Sequence, residues 1–98
     1  MYDPISIDVT TKAAKTELNG RPFIKITVGA VDVQVLLSKS TVAVDDGKYM
    51  TLSASQTYYL KSNKGGFSYL LSKTANGTST LTIIASDDEI YQFVVATA

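Results

Sequence analysis

The side chains that carry out most enzyme chemistry are scarce in this sequence. It has no histidine, cysteine or tryptophan, which excludes serine or cysteine catalysis with a histidine base and metal centres ligated by histidine or cysteine. Glu17 and Glu89 are the only glutamates, so a glycosidase-like carboxylate pair would draw on them and on seven aspartates. Their spacing does not suggest such a pair. We therefore predict a protein without enzymatic activity and without a cofactor.

Two acidic clusters offer oxygen ligands of the kind that calcium prefers. They are Asp45-Asp46 and Asp87-Asp88-Glu89. Calcium takes about six to eight oxygen ligands, and neither cluster matches a recognised calcium-binding loop. Both are predicted to be solvated turns, and no metal site is expected.

The six tyrosines could supply an aromatic surface. Tyr58, Tyr69 and Tyr91 fall in the interiors of predicted strands, where an aromatic ring packs on a neighbouring strand and leaves its hydroxyl at the margin. Tyr49 and Tyr59, together with nearby turn residues, could instead stack on a sugar or another ligand. A binding surface for glycans therefore stays open as an alternative.

Length and charge restrict the class of protein further. The chain has 98 residues and a formal net charge of zero, with 45% hydrophobic and 18% charged residues, which fits one soluble folded domain over residues 1–98. The basic residues are scattered, so nucleic-acid binding is not expected. The longest apolar run is four residues, far short of the roughly 20 that cross a bilayer. No signal peptide is expected, because the first four residues include an acid and a proline where a signal would carry basic residues and then an apolar stretch.

The elements that would position these residues are predicted to be strands, because threonine, valine and isoleucine occur in nearly every segment. The predicted strands cover residues 5–9, 23–28, 31–37, 49–53, 57–62, 67–72, 79–85 and 90–96. They indicate an all-β fold, a small antiparallel sandwich or barrel of about eight short strands. Gly29-Ala30 has the length of a hairpin turn, and the last three strands are predicted to form an antiparallel meander.

One segment, residues 10–20, permits two interpretations. Ala13, Ala14, Glu17 and Leu18 could form two helical turns that end at Gly20. Alternatively the segment is extended and Asn19-Gly20 makes a hairpin turn. The extended interpretation is favoured because such a short isolated helix is marginally stable.

The order of several segments resembles that of small bacteriophage virion accessory proteins. The segments are Ile7 to Thr11, Arg21 to Ile26, Val31 to Val35, Val44 to Gly47, Tyr58 to Ser62 and Ser79 to Ile84. The resemblance spans most of the chain, although Gly29 replaces an asparagine that is common in that layout and a further strand follows it. It implies a non-enzymatic β-sandwich that decorates or cements a phage particle or joins a fibre or tail component to it.

The leading hypothesis is therefore a virion component, synthesised in the host cytoplasm, whose partners are other virion proteins or further copies of itself. Its interface is predicted to be an apolar stripe formed by Leu70, Ile84, Ile90 and Val94, because residues 90–95 break the alternation of a one-sided strand. The alternative is a carbohydrate- or ligand-binding β-sandwich in which Tyr49 and Tyr59 form the site.

Overall fold

A computed structural model describes residues 4–38, 48–61 and 66–87, together with the backbone of residues 94 and 95. The strands are β1 (Ile5–Val9), β2 (Ala14–Arg21), β3 (Phe23–Val28), β4 (Val33–Ser38), β5 (Met50–Leu52), β6 (Thr57–Lys61), β7 (Phe67–Lys73), β8 (Ser79–Ser86) and β9 (Val94–Val95). The described residues contain no helix, and hence none that could cross a membrane. The predicted all-β class is confirmed.

The strands pack as two sheets around one apolar core. Sheet A has the order β1-β8-β3-β6-β9 and sheet B the order β2-β7-β4-β5. Alternation explains which residues enter the core: in β3, Ile24, Ile26 and Val28 are buried, whereas Lys25 and Thr27 point outward. Both sheets contribute to one cluster of buried side chains. The architecture is therefore the predicted sandwich.

The pairing of the strands is nested. β4 pairs with β5, β3 with β6, β2 with β7 and β1 with β8, each time antiparallel. The first eight strands thus form one long hairpin folded over itself, and its successive strand pairs belong alternately to sheet A and sheet B. This winding is the jelly-roll arrangement. The short strand β9 extends sheet A by pairing with β6 in parallel.

The winding corrects two sequence-based predictions. Residues 29–32 do not form a hairpin, because β3 and β4 lie in different sheets. The segment crosses the gap between the sheets and is fixed there by Ser79, whose Oγ accepts from the Val31 N–H (3.2 Å) and donates to the Val31 carbonyl (2.8 Å). The predicted meander of the last three strands is also wrong, since β7 lies in sheet B whereas β8 and β9 occupy separate positions in sheet A.

The ambiguous segment of residues 10–20 is extended. Residues 14–21 form β2, an edge strand of sheet B, and its pairing with β7 shifts register between Glu17 and Arg21. At the shift Asn19 and Gly20 have φ values of +56° and +72°, which asparagine and glycine tolerate better than other residues. The Asn19-Gly20 pair therefore makes a β-bulge rather than a hairpin turn.

Candidate functional site

Two of the residues predicted to form an apolar interface, Leu70 and Ile84, do not share one surface. Leu70 is 0% exposed and belongs to the core, so its assignment to an exposed stripe is wrong. It faces inward because it pairs with the core residue Leu37 of β4. Ile84 lies half-buried on β8, between the inward-facing Ile83 and Ala85. It therefore points away from the core on the outer face of sheet A.

The other two predicted interface residues belong to the C-terminal segment. Ile90 lies outside the described residues, as does most of the strand predicted over residues 90–96. For Val94 the backbone is described, and it pairs with Leu60 of β6. The prediction that this strand meets another subunit therefore stays a prediction.

Three half-buried tyrosines outside the core each lie close to a lysine ammonium group. The distances from Nζ to the ring centre are 4.7 Å for Lys15 and Tyr69, 5.8 Å for Lys25 and Tyr59, and 4.4 Å for Lys73 and Tyr49. Tyr69 and Tyr49 belong to the sheet B side, whereas Tyr59 lies on β6 in sheet A. The two tyrosines of the predicted glycan site are therefore separated, and the fold does not assemble that site.

The tyrosines predicted to pack across strands differ in their roles. Tyr58 packs against the core, and its hydroxyl accepts a hydrogen bond from the Ser53 N–H (2.8 Å), as the strand pattern predicts. Tyr69 points outward between Glu17 of β2 and Ser38 of β4, with which it is paired. Tyr91 lies outside the described residues.

A cleft adjoins the bulge of β2, and we call it the bulge cleft. Its lining residues are Glu17, Asn19, Gly20, Ser68 and Tyr69, and its volume is about 280 Å³. The lining combines a carboxylate, an amide, a hydroxyl and an aromatic ring. These groups come from two adjacent strands, β2 and β7, at the point where their pairing shifts register.

Gly66, just before β7, packs against the bulge that borders the cleft. A Cβ at this position would overlap the carbonyl group of Gly20, so the backbones of the two segments approach more closely than side chains allow. Only glycine permits this approach. The bulge is therefore braced by a second segment of backbone.

A second cleft lies at the end of β1 and β8, and we call it the threonine cleft. It has a volume of about 460 Å³ and is lined by Asp8, Thr10, Ala30, Thr78, Ser79 and Thr80. Several of its polar groups already serve the fold. The Thr80 carbonyl accepts from the Gly29 N–H (2.8 Å), and the Thr10 carbonyl accepts from the Thr74 N–H (2.8 Å). This cleft is explained by the crossing of the chain between sheets.

The acidic clusters give no metal centre that can be described. Asp87 is exposed, while Asp45, Asp46, Asp88 and Glu89 lie outside the described residues. Among residues 4–38, 48–61 and 66–87, no three side chains of the carboxylate, imidazole or thiol type are grouped as metal ligands.

Sequence reasoning missed the bulge cleft. The one available signal was Asn19-Gly20, which marks a left-handed backbone conformation but does not distinguish a turn from a bulge. The pairing of Glu17 with Tyr69 joins residues that are far apart in the chain. No local pattern could reveal it.

No protein-family model, curated protein or solved structure matches this chain.

Proposed function

We propose that this protein is a non-enzymatic structural component of a bacteriophage virion that acts in capsid decoration, in cementing the capsid or in fibre or tail attachment. It works as a homo-oligomer or by docking on a repeated lattice of other virion proteins. Its task is to present a rigid surface, and the tightly wound sandwich suits that task.

The observation that carries this proposal is the nested winding of eight strands into two sheets. Jelly rolls recur in viral capsid proteins and in lectins, so the support from the fold is by analogy. The order of segments that resembles virion accessory proteins favours the first of these classes. The resemblance and the winding are separate arguments, because one rests on residue types and the other on strand pairing.

The outer face of sheet A is the surface that we assign to the contact. Ile84 of β8 lies there next to Lys25 of β3, which in turn pairs with Tyr59 of β6. Aromatic residues are enriched at protein interfaces, and the buried centre of an interface is more apolar than the rest of the surface. Tyr59 and Ile84 are side chains of these two kinds on either side of Lys25. We propose that a second copy or the virion lattice covers this face.

Sedimentation velocity of the isolated chain tests the proposal, together with binding to particles that lack the protein. Ile84→Asp should dissociate the oligomer or abolish particle binding while the chain stays folded, because a buried unpaired charge is costly at an interface. Thr51→Asp is the matched control, since Thr51 is exposed on β5 of the other sheet. A wild-type chain that sediments as a monomer and binds no particle would contradict the proposal.

A further inference from the structure

We propose that the bulge cleft is a binding site for one ring of a neutral carbohydrate. This inference goes beyond the virion assignment and does not depend on it, because the site lies within a single chain on the edge of sheet B. It also differs from the alternative site of Tyr49 and Tyr59 that the sequence leaves open, whose two members the fold separates.

The size of the cleft determines the size of the ligand. Pockets for drug-sized molecules measure roughly 300–1,000 Å³, and the bulge cleft, at about 280 Å³, lies just below that range. A single sugar ring is therefore the appropriate unit. Longer glycans would extend from the cleft into solvent.

The lining matches the two surfaces of a sugar ring. A pyranose presents hydroxyl groups around its rim, and a carboxylate, an amide and a hydroxyl, from Glu17, Asn19 and Ser68, can accept and donate hydrogen bonds to them. The same ring carries C–H groups that pack on an aromatic side chain. Tyr69 supplies that side chain in this cleft.

The local charge favours a neutral ligand. The carboxylate of Glu17 repels phosphates and acidic sugars. The Tyr69 ring already has the ammonium group of Lys15 at 4.7 Å, so a cationic ligand on this ring would be repelled by that like charge. Glu17 and Lys15 lie two residues apart on the same face of β2, so charges of both signs border the cleft.

The cleft is also preorganised. Asn19 is held in a left-handed conformation, with φ of +56°, that non-glycine residues rarely adopt, and the close packing of Gly66 on Gly20 fixes the bulge that imposes it. Bulges commonly re-aim side chains beside binding sites. A backbone that is fixed at the bulge lowers the entropy cost of binding a small polar ligand.

Nuclear magnetic resonance titration of the full chain tests the inference. The probes are neutral methyl glycosides of glucose, galactose, mannose and N-acetylglucosamine, each added up to roughly 20 mM, above the millimolar dissociation constants expected for such a small ligand. At least one probe should shift amide resonances within residues 15–20 and 66–70 and leave those of sheet A unchanged. Shifts confined to other residues, or none with any probe, would overturn the inference.

Variants distinguish binding at this cleft from nonspecific binding to any accessible tyrosine. Tyr69→Leu should weaken binding at least tenfold, and Glu17→Gln should weaken it several-fold. Tyr59→Leu is the matched control, because Tyr59 is also half-buried and lies near a lysine but lines neither described cleft. Equal loss in Tyr59→Leu and Tyr69→Leu would overturn the inference.

Two further measurements address a variant that fails to fold and a ligand that is a cation instead of a sugar. Tyr69→Phe retains the ring, so it should fold and bind within about threefold of the wild type even if Tyr69→Leu does not fold. In a separate titration, methylammonium replaces the sugar as a cationic probe. If methylammonium bound and none of the sugars did, the inference would be overturned. These readings use the isolated chain, so failure of sugar binding leaves the oligomer and particle measurements unaffected.

Discussion

At the scale of single residues, two buried serines show how the same side chain can destabilise or stabilise the fold. Ser72 of β7 is 0% exposed, and its Oγ has no hydrogen-bond partner. Ser79 of β8 is 7% exposed, and its Oγ makes two hydrogen bonds to the backbone of Val31. A buried hydroxyl without a partner costs about 1–3 kcal/mol of desolvation, which hydrogen bonds otherwise offset.

Ser72→Ala should therefore raise the free energy of unfolding by about 1 kcal/mol, because the substitution removes the desolvated hydroxyl and nothing else. The melting temperature should rise by roughly 4–8 °C in a domain of this size. Thermal and urea denaturation followed by circular dichroism measure both quantities.

Ser79→Ala is the control, and it should lower the free energy of unfolding by about 1–2 kcal/mol because the Val31 N–H and carbonyl lose their partner. If Ser72→Ala destabilised the chain as much as Ser79→Ala, the Ser72 hydroxyl would have to be hydrogen-bonded, contrary to the described structure.

At the scale of elements, the bulge in β2 is the irregular feature that the rest of the sheet has to accommodate. It ends the regular pairing of β2 with β7 after Glu17. Beyond the bulge, Arg21 connects the two sheets, since its Nη1 donates to the Ala85 carbonyl of β8 at 3.2 Å. The bulge thus turns the end of the edge strand back toward sheet A.

Gly66→Ala should lower the free energy of unfolding by about 3 kcal/mol, because its Cβ would overlap backbone that cannot move without opening the bulge. Gly20→Ala is the matched control. A Cβ at Gly20 has no atom within 4 Å and meets only the penalty of its φ of +72°, about 1 kcal/mol. Urea denaturation should rank the two variants in this order, and the reverse order would contradict the bracing of the bulge by Gly66.

The elements also show what a sequence can and cannot predict. The prediction of a strand over residues 23–28 is confirmed as β3 (Phe23–Val28), because alternation is a local property of the chain. The partners of a strand depend on distant residues. The sequence therefore predicts a hairpin at Gly29, where the chain instead crosses between the sheets.

The misplacement of Leu70 has a related cause. Regular alternation along β7 would put Phe67 and Leu70 on opposite faces, but both lie in the core. The side of β7 that faces the core therefore switches between Phe67 and Leu70. This switch coincides with the irregular pairing of β7 with β2, whose register shifts between Glu17 and Arg21. A sequence pattern that assumes period two cannot detect such a shift.

At the scale of the whole molecule, the nested winding makes the two halves of the chain depend on each other. No described strand among β1 to β4 pairs with another of these four. Among β5 to β9, the single described pairing is the short one between β6 and β9. All the other ladders join the first half of the chain to the second.

This dependence predicts the behaviour of a chain divided between residues 38 and 48, in the connection from β4 to β5. Each half alone should be unfolded, because its apolar strands have no partner strands and cannot offset the conformational entropy of the chain. The far-ultraviolet circular dichroism of each half should lack a strand signal, and its amide resonances should be poorly dispersed.

An equimolar mixture of the halves should recover the strand spectrum and the dispersed resonances of the intact chain. Recovery should be slow, because nearly every contact to be formed is between distant segments, and it should depend on concentration because the association is bimolecular. The matched control carries Leu70→Asp in the second half, which places a charge in the core and should prevent recovery. A first half that folded by itself would show that β1 to β4 pair with one another, which the nested winding excludes.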